Sequence, residues 1–318
     1  MDIRRLYAFV KIVDIGSITR ASAILHIAQP ALSQQIASLE TRFGKPLLLR
    51  SKRGVVPTEA GKVLYRHCQM ILRQMDQAEI DIASASDEIS GHVRVGLAPL
   101  GLGALIGSQL IESISKSHPG VKIYINENVG GGVISEMIMT SKMDVALIFN
   151  PGPIPSLLFD PISTEELYYV ATKGEEPEHN EIAFAEAVAH PLILPSQIHT
   201  VRQAIDTTLA RAGLSAKVLA QTESISVLAN AVSEGFGATI LPLSAAHALQ
   251  RRVPEARASR IRHPNIKVNM VTCTSAQQPL SEAAALVHGR LIELAKGRTL
   301  SSGVPPEFNP DRSSSPSS

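Results

Sequence analysis

Cysteine is scarce: the 318 residues carry two, Cys68 and Cys273. They fall in different expected segments and fit neither a disulfide nor a metal-ligand spacing, which points to a reducing compartment and to no metal. Long apolar runs are missing, and none approaches the ~20 residues a membrane span needs. No membrane partner is therefore expected. The chain opens on a charged, helix-like segment and not on a signal-like apolar stretch, so the expected location is cytoplasmic. Catalytic signatures are missing too. There is no G-x-S-x-G elbow, no H-E-x-x-H and no P-loop lysine. The ten histidines are scattered; His26, in a turn before Pro30, and His67 have no ligand-spaced neighbour. Neither an enzyme nor a cofactor is expected.

Charge is present but unevenly spread. Residues 1–58 hold nine Lys or Arg against three acids, a net of +6, while the whole chain is +1. The remainder therefore carries −5. A basic N-terminal segment suits phosphate contact and salt-dependent binding to nucleic acid; the acidic remainder does not.

The segment 17–39, SITRASAILHIAQPALSQQIASL, reads as two short helices joined by a tight turn. Ser17 suits an N-cap, and Ile18, Ala21, Leu25 and Ala28 recur on one face. Pro30 suits the start of the second helix. There Leu32, Ile36, Leu39 and Phe43 fall in one stripe, expected to be buried. The opposite face carries Gln29, Pro30, Ser33, Gln34, Ala37 and Thr41. Gln and Ser can read base edges, and a small Ala37 lets the helix axis come close. An ordinary amphipathic surface helix is the alternative. Leu6, Phe9, Val10 and Val13 supply a preceding helix and complete a three-helix core. After Gly44, two short apolar strands flank the basic turn 51–54 and form a hairpin wing. Lys52 and Arg53 at its tip are placed for phosphate or a minor groove, unless the turn is simply solvated.

The stretch VKIVDIGSITRASAILHIAQPALSQQIASLETRFGKPLLLRSKRGVVPTEAGKVL resembles the N-terminal domain of LysR-type transcriptional regulators. The segments HIAQPALSQQ and SKRGV are most similar to the nitrogen-assimilation-control branch. The resemblance implies a winged helix-turn-helix that binds double-stranded DNA, a homo-oligomer on an interrupted inverted repeat, RNA polymerase as a partner, and a C-terminal domain that answers a small effector.

Gly and Pro are absent between Lys62 and Ser90, so one helix is expected from Thr58 to about Ser86, with Thr58 as its cap. Leu64, Cys68, Ile71, Met75, Ala78, Ile82 and Ala85 alternate steps of four and three. That heptad seam predicts pairing with a partner helix, the alternative being a helix that lies on its own domain. Pairing would set two recognition helices at fixed spacing. The same helix resembles the family's dimerising linker.

From His92 the pattern changes. Strands are expected at 93–97, 121–126, 145–149, 167–172, 192–194, 218–221, 238–241 and 267–274. Helices are expected at 102–117, 133–141, 201–212, 224–233 and 281–296. Such alternation argues for parallel sheets covered by helices, with ligands beyond the C-terminal strand ends. The resemblance adds two subdomains similar to periplasmic solute-binding proteins. The expected fold is thus α/β, with a winged helix-turn-helix (1–58), a linker helix (59–87) and a regulatory domain (88–298). One half of that domain takes 92–163 and 264–298 and the other 164–263, with a disordered tail at 299–318.

The candidate effector residues are Leu100, Gly101, Asn128, Gly130, Thr200 and Arg202. Arg202 has an alternative, pairing with a nearby acid. Where many relatives carry Ser or Thr at the first loop, this chain has Pro99-Leu100-Gly101-Leu102-Gly103. Either backbone amides bind the effector, or it is partly apolar, or none binds. The same loop and Glu127 mimic a dinucleotide fingerprint, but glycines at 96, 101, 103 and 107 do not fit its spacing. A solute-binding or enzymatic α/β protein with an incidental N-terminal domain remains the competing class.

Overall fold

The computed structural model describes residues 2–51, 54–83, 88–127, 131–172 and 180–301. The chain divides into two compact units, the first taking Met1–Asp87 with Met139–Lys142 and the second the rest.

Local signals set the first unit. Asp2 caps α1 (Ile3–Ile15), accepting from the Arg4 N–H at 3.0 Å, and Gly16 ends it in the left-handed region. Ser17 caps α2 (Ile18–Leu25) through the Arg20 N–H at 3.3 Å, as its type and position predict. His26 closes α2, and α3 (Gln29–Phe43) starts with Pro30 in its first turn. Leu6, Phe9, Ile12, Ile18, Ala21, Leu32, Ile36 and Leu39 pack between the three helices. The expected stripes are each one turn too long. Ala28 lies beyond the end of α2 and is exposed, and Phe43, the last residue of α3, stays 42% exposed because the core beneath it has ended.

The wing is the antiparallel pair β1 (Leu48–Ser51) and β2 (Gly54–Pro57). Glu40 Oε1 holds its base, accepting from the Leu47 and Leu48 N–H groups at 2.9 and 3.3 Å. The Val55 N–H donates to the Gly16 carbonyl at 2.8 Å. α4 (Glu59–Ala83) follows, its first turn capped by Thr58 Oγ1, which accepts from the Gly61 N–H at 3.0 Å.

The heptad seam divides on this helix. Cys68 is fully buried and Leu64 partly so, both against the core of the first unit. They hold α4 to its own domain and are spent before any partner helix arrives, which corrects their assignment to a dimer seam. Ile71, Met75, Ala78 and Ile82 are exposed. Ala85 lies outside the described residues.

The second unit begins with β3 (Gly91–Leu97), α5 (Gly103–Ser117), β4 (Val121–Asn126), α6 (Gly131–Met139), β5 (Val145–Phe149) and β6 (Leu157–Ala171). Then come β7 (Glu181–Ala183), α7 (Phe184–Ala189), β8 (Pro191–Leu194), α8 (Thr200–Ala212), β9 (Lys217–Gln221) and α9 (Ile225–Ser233). It ends with β10 (Thr239–Pro242), α10 (Leu243–Gln250), β11 (Arg257–Arg262), β12 (Lys267–Ser275) and α11 (Glu282–Ser301). The strand order is β4-β3-β5-β12-β6-β11-β7, with β10 also on β6. The parallel pair β8-β9 reaches β10 through the Leu192–Ala238 bridge.

The expected all-parallel sheets are corrected to mixed ones. β3 is parallel to β4 and β5, but β12 is antiparallel to β5 and β6, and β10 and β11 are antiparallel to β6. The reason is β6 itself. Its first part, through Glu166, pairs with β12, and from Leu167 it pairs with β10 and β11. The return lies between Arg262 and Lys267. Sequence alone missed the first half of β6, β7, β11, α7 and α10, and it began the tail too early, since α11 reaches Ser301.

Gly61 marks the tightest approach in the first unit. A Cβ there would stand 2.0 Å from the Leu47 carbonyl oxygen. Gly61→Ala should therefore push α4 off the base of the wing and cost about 1–3 kcal/mol. Denaturant unfolding of the full chain reads this directly, and an unchanged midpoint would refute it.

Candidate functional site

Two places carry candidate chemistry. The first is the free face of α3. Leu32, Ile36 and Leu39 anchor the helix in the core, so the remaining positions turn to solvent. Gln29, Pro30, Gln34, Ala37 and Thr41 are exposed and Ser33 is half-buried. Gln29 Nε2 donates to Ser33 Oγ at 3.1 Å, which orders both on the first turn. Gln34 is exposed with no hydrogen-bond partner among the described residues, leaving its amide free to meet a base edge. On the neighbouring face, Arg5 Nη1 donates to Ser38 Oγ at 2.7 Å and ties α3 to α1. The one acid of α3, Glu40, is turned to the wing backbone, so this face brings no carboxylate toward phosphate. Arg42, Lys45 and Arg50 are exposed nearby in sequence. Lys52 and Arg53 lie outside the described residues.

The second place is the set of loops at the strand ends of the second unit. Asn128 and Gly130 lie outside the described residues. Residues 99–103 are all buried. Leu100, held at a left-handed φ of 57°, belongs to the buried cluster that includes Val170, Leu228, Leu241 and Ala245. At Gly101 a Cβ would stand 2.9 Å from Met270 Cε and 3.1 Å from Phe149 Cζ. These two positions were expected to face a ligand; both are packed against protein, because an apolar loop finds its partners in the core beside it.

Arg202 is corrected in the same way. It is 6% exposed, with Nε donating to Asp206 Oδ1 at 2.8 Å and Nη1 to the Pro195 carbonyl at 3.2 Å. The pairing alternative is the one the fold adopts. Thr200, half-buried, is the first residue of α8.

The residue that sequence reading missed is His199, 1% exposed. Its Nδ1 accepts from the Val201 N–H at 3.2 Å and so caps α8. That leaves the proton on Nε2, which donates to the Pro99 carbonyl at 3.3 Å. The ring tilts against Phe149, centroids 5.9 Å apart. Burial lowers its pKa, while the Pro99 bond and the Glu223 charge oppose the shift. A neutral imidazole thus satisfies both partners, and protonation would turn Nδ1 into a donor facing another donor. The only sequence signal was its place just before an expected helix start, and histidine is not a favoured cap.

Among the described residues no group of His, Cys, Asp and Glu is placed to hold a metal, and no helix is long and apolar enough to cross a membrane.

Comparison with known proteins agrees across the chain. A family model described as "Bacterial regulatory helix-turn-helix protein, lysR family" matches residues 3–62, and one described as "LysR substrate binding domain" matches residues 86–296. The nitrogen assimilation regulatory protein nac of Klebsiella aerogenes is 37% identical over 301 residues, 94% of this chain and 97% of that protein. Its namesake from Escherichia coli is 38% identical over 297 residues, 92% and 95% of the two chains. A full-length OxyR variant from Pseudomonas aeruginosa shares the fold with a TM-score of 0.69 at 20% identity, covering 93% of this chain and 95% of that one. CbnR complexed with its target DNA does so with a TM-score of 0.63 at 18% identity, covering 93% and 99%.

His199 predicts a pH dependence. Its folded pKa lies below the ordinary 6.5, so the unfolded chain binds the extra proton first. The stability it contributes is full above about 6.5 and is lost as pH falls toward the folded value. His199→Asn keeps a capping oxygen but does not titrate. Between pH 7 and pH 5 the wild-type chain should lose more unfolding free energy than this variant, and equal losses would refute the reading.

Proposed function

Because the chain belongs to the LysR family of DNA-binding transcriptional regulators, with an effector-binding domain behind the reader, we propose that it binds an interrupted inverted repeat as a homo-oligomer through α3 and the wing. The observation that carries this is the free face of α3: an unpaired Gln34 beside Gln29, Pro30, Ser33, Ala37 and Thr41, held rigid by three fully buried anchors. One such helix reads too few base pairs, whereas two at fixed spacing read a palindrome. The exposed Ile71, Met75, Ala78 and Ile82 on the far half of α4 supply the pairing stripe. Lys52 and Arg53 add phosphate or minor-groove contacts. We divide the chain into reader (1–58), linker (59–87) and two regulatory halves; the passage of β6 from one set of partners to another supports the last of these divisions.

The names of the relatives support a role in regulating nitrogen assimilation, in the cytoplasm, with RNA polymerase as the partner that carries the signal onward. For the regulatory half, the burial of Leu100 with Val170, Leu228, Leu241 and Ala245 favours a domain held closed by its own loop over one that waits for a ligand there. The family match over residues 3–62 weighs against the competing reading, in which the N-terminal domain of a solute-binding or enzymatic protein is incidental.

Two experiments test this. Gln34→Ala should cost about 1–3 kcal/mol on the specific site and little on random DNA; an unchanged specific-to-random ratio in a gel-shift titration would sink the assignment. Ile71→Glu places a charge in the pairing stripe while leaving the first unit's core untouched. Sedimentation should then show monomers, and an intact dimer would remove α4 from the interface.

A further inference from the structure

The reader and α4 meet through more than apolar packing. Leu64, Cys68 and Leu72 press the helix onto the core, but apolar contact is non-directional and does not fix an angle. A hydrogen-bonded chain lies beside it. The Tyr65 hydroxyl donates to Asp14 Oδ1, in the last turn of α1. Gln69 Nε2 donates to the same hydroxyl at 2.7 Å. Tyr65 is itself a core residue, 8% exposed. Burial first, then the Asp14 carboxylate, hold its pKa well above the usual tyrosine range, so the hydroxyl remains a donor at every working pH. Hydrogen bonds weaken steeply as they bend. This chain therefore supplies the direction that the apolar contact lacks.

The lever is long. From Tyr65 to Ala83 the helix runs on for roughly 27 Å, past every exposed residue of the pairing stripe. Play of about 10° at Tyr65 would shift the far end by roughly 5 Å, more than one base-pair step of about 3.4 Å. If the far halves are clamped together, the same play appears at the readers.

We propose that Tyr65, held by Asp14 and Gln69, is a positioning residue that sets the angle between reader and linker helix and thereby the half-site spacing the protein accepts. The proposal rests on the reading of this chain as paired readers on an inverted repeat. Tyr65 contributes no contact to a base; it acts through α1 and α4.

The test uses the full chain. A duplex is selected by the wild-type protein from randomised DNA, then rebuilt with its central spacer lengthened or shortened one base pair at a time, and also as a single half-site. The wild type should prefer one spacing by about tenfold over its neighbours. Tyr65→Phe, which removes one oxygen, should bind the single half-site within twofold of wild type but discriminate spacings by under threefold. Asp14→Asn keeps an acceptor for the hydroxyl and should retain the wild-type profile. An unchanged spacing profile in Tyr65→Phe overturns the positioning role, and so does a uniform loss on half-site and full sites alike. A wild type that binds paired sites no more tightly than a single half-site overturns the inverted-repeat reading, and the proposal with it.

Discussion

A strand of fifteen residues is roughly 50 Å long, more than one sheet of this size can pair, so β6 must change partners before it ends. Most of the regulatory unit answers to that constraint. β12 returns alongside it and must be antiparallel, which makes the sheets mixed. In its first half β6 is an edge strand, where Pro161 withholds no ladder bond that a neighbour needs. The register slips between Met270 and Val271, the kind of irregularity that bends a strand toward a new sheet. At the change of partners sits Glu165, buried, with Oε2 accepting the Ser244 N–H at 2.8 Å and Oε1 unpartnered among the described residues. Links between the halves include Leu100 from the loop after β3 and His199 at the head of α8. The chain passes between the halves along β6 and again between Arg262 and Lys267. A buried leucine and a capping histidine add contacts beside those passages.

What was legible in the sequence was what short-range periodicity controls. Leu32, Ile36 and Leu39 could be placed because a helix in a three-helix core shows its buried stripe in its own spacing. Ser17 and Thr58 could be placed because a cap is a local event. The heptads of α4 show where such reasoning ends. Spacing says that Leu64, Cys68 and Ile71 share a face, but not whose atoms cover it. Cys68 is covered by its own domain and Ile71 is not. The first half of β6 was hidden because LLFDPISTEEL carries a proline and acids, which read as a loop until an edge position makes them tolerable. β11 was hidden for a related reason: half of Arg257–Arg262 is arginine, with Arg260 and Arg262 on one face and Arg257 on the other, and Ile261 is its one β-branched residue.

The candidate sites divide along the same line. The candidate DNA-reading face is the complement of a buried stripe, so its residues could be named from the stripe. The candidate effector residues come from loops far apart in sequence. His199 meets Pro99 across 100 residues, and nothing near either one announces the other. Arg202 was ambiguous for lack of one fact, the position of Asp206 one helical turn on. Leu100 was misplaced because a loop at a strand end carries a strong expectation of ligand contact, and that expectation took no account of how apolar this loop is.

In the regulatory unit, burial shifts several ionisable side chains toward their neutral forms. Burial raises the pKa of Glu165 and Glu127 and lowers that of His199 and His288. The two sets respond to pH in opposite senses. Acidification relieves the carboxyls, whose contribution is full below about 4.5 and lost as pH rises through the folded value. It burdens the histidines, whose contribution is full above about 6.5 and lost as pH falls. The reader, by contrast, keeps its charge at the surface, where salt screens it and phosphate can reach it. The same chain thus keeps charge exposed on the reader, while burial in the regulatory unit disfavours the charged forms of these four groups. α4 follows the reader in sequence, with Leu64, Cys68 and Leu72 turned to the reader's core and Ile71, Met75, Ala78 and Ile82 exposed.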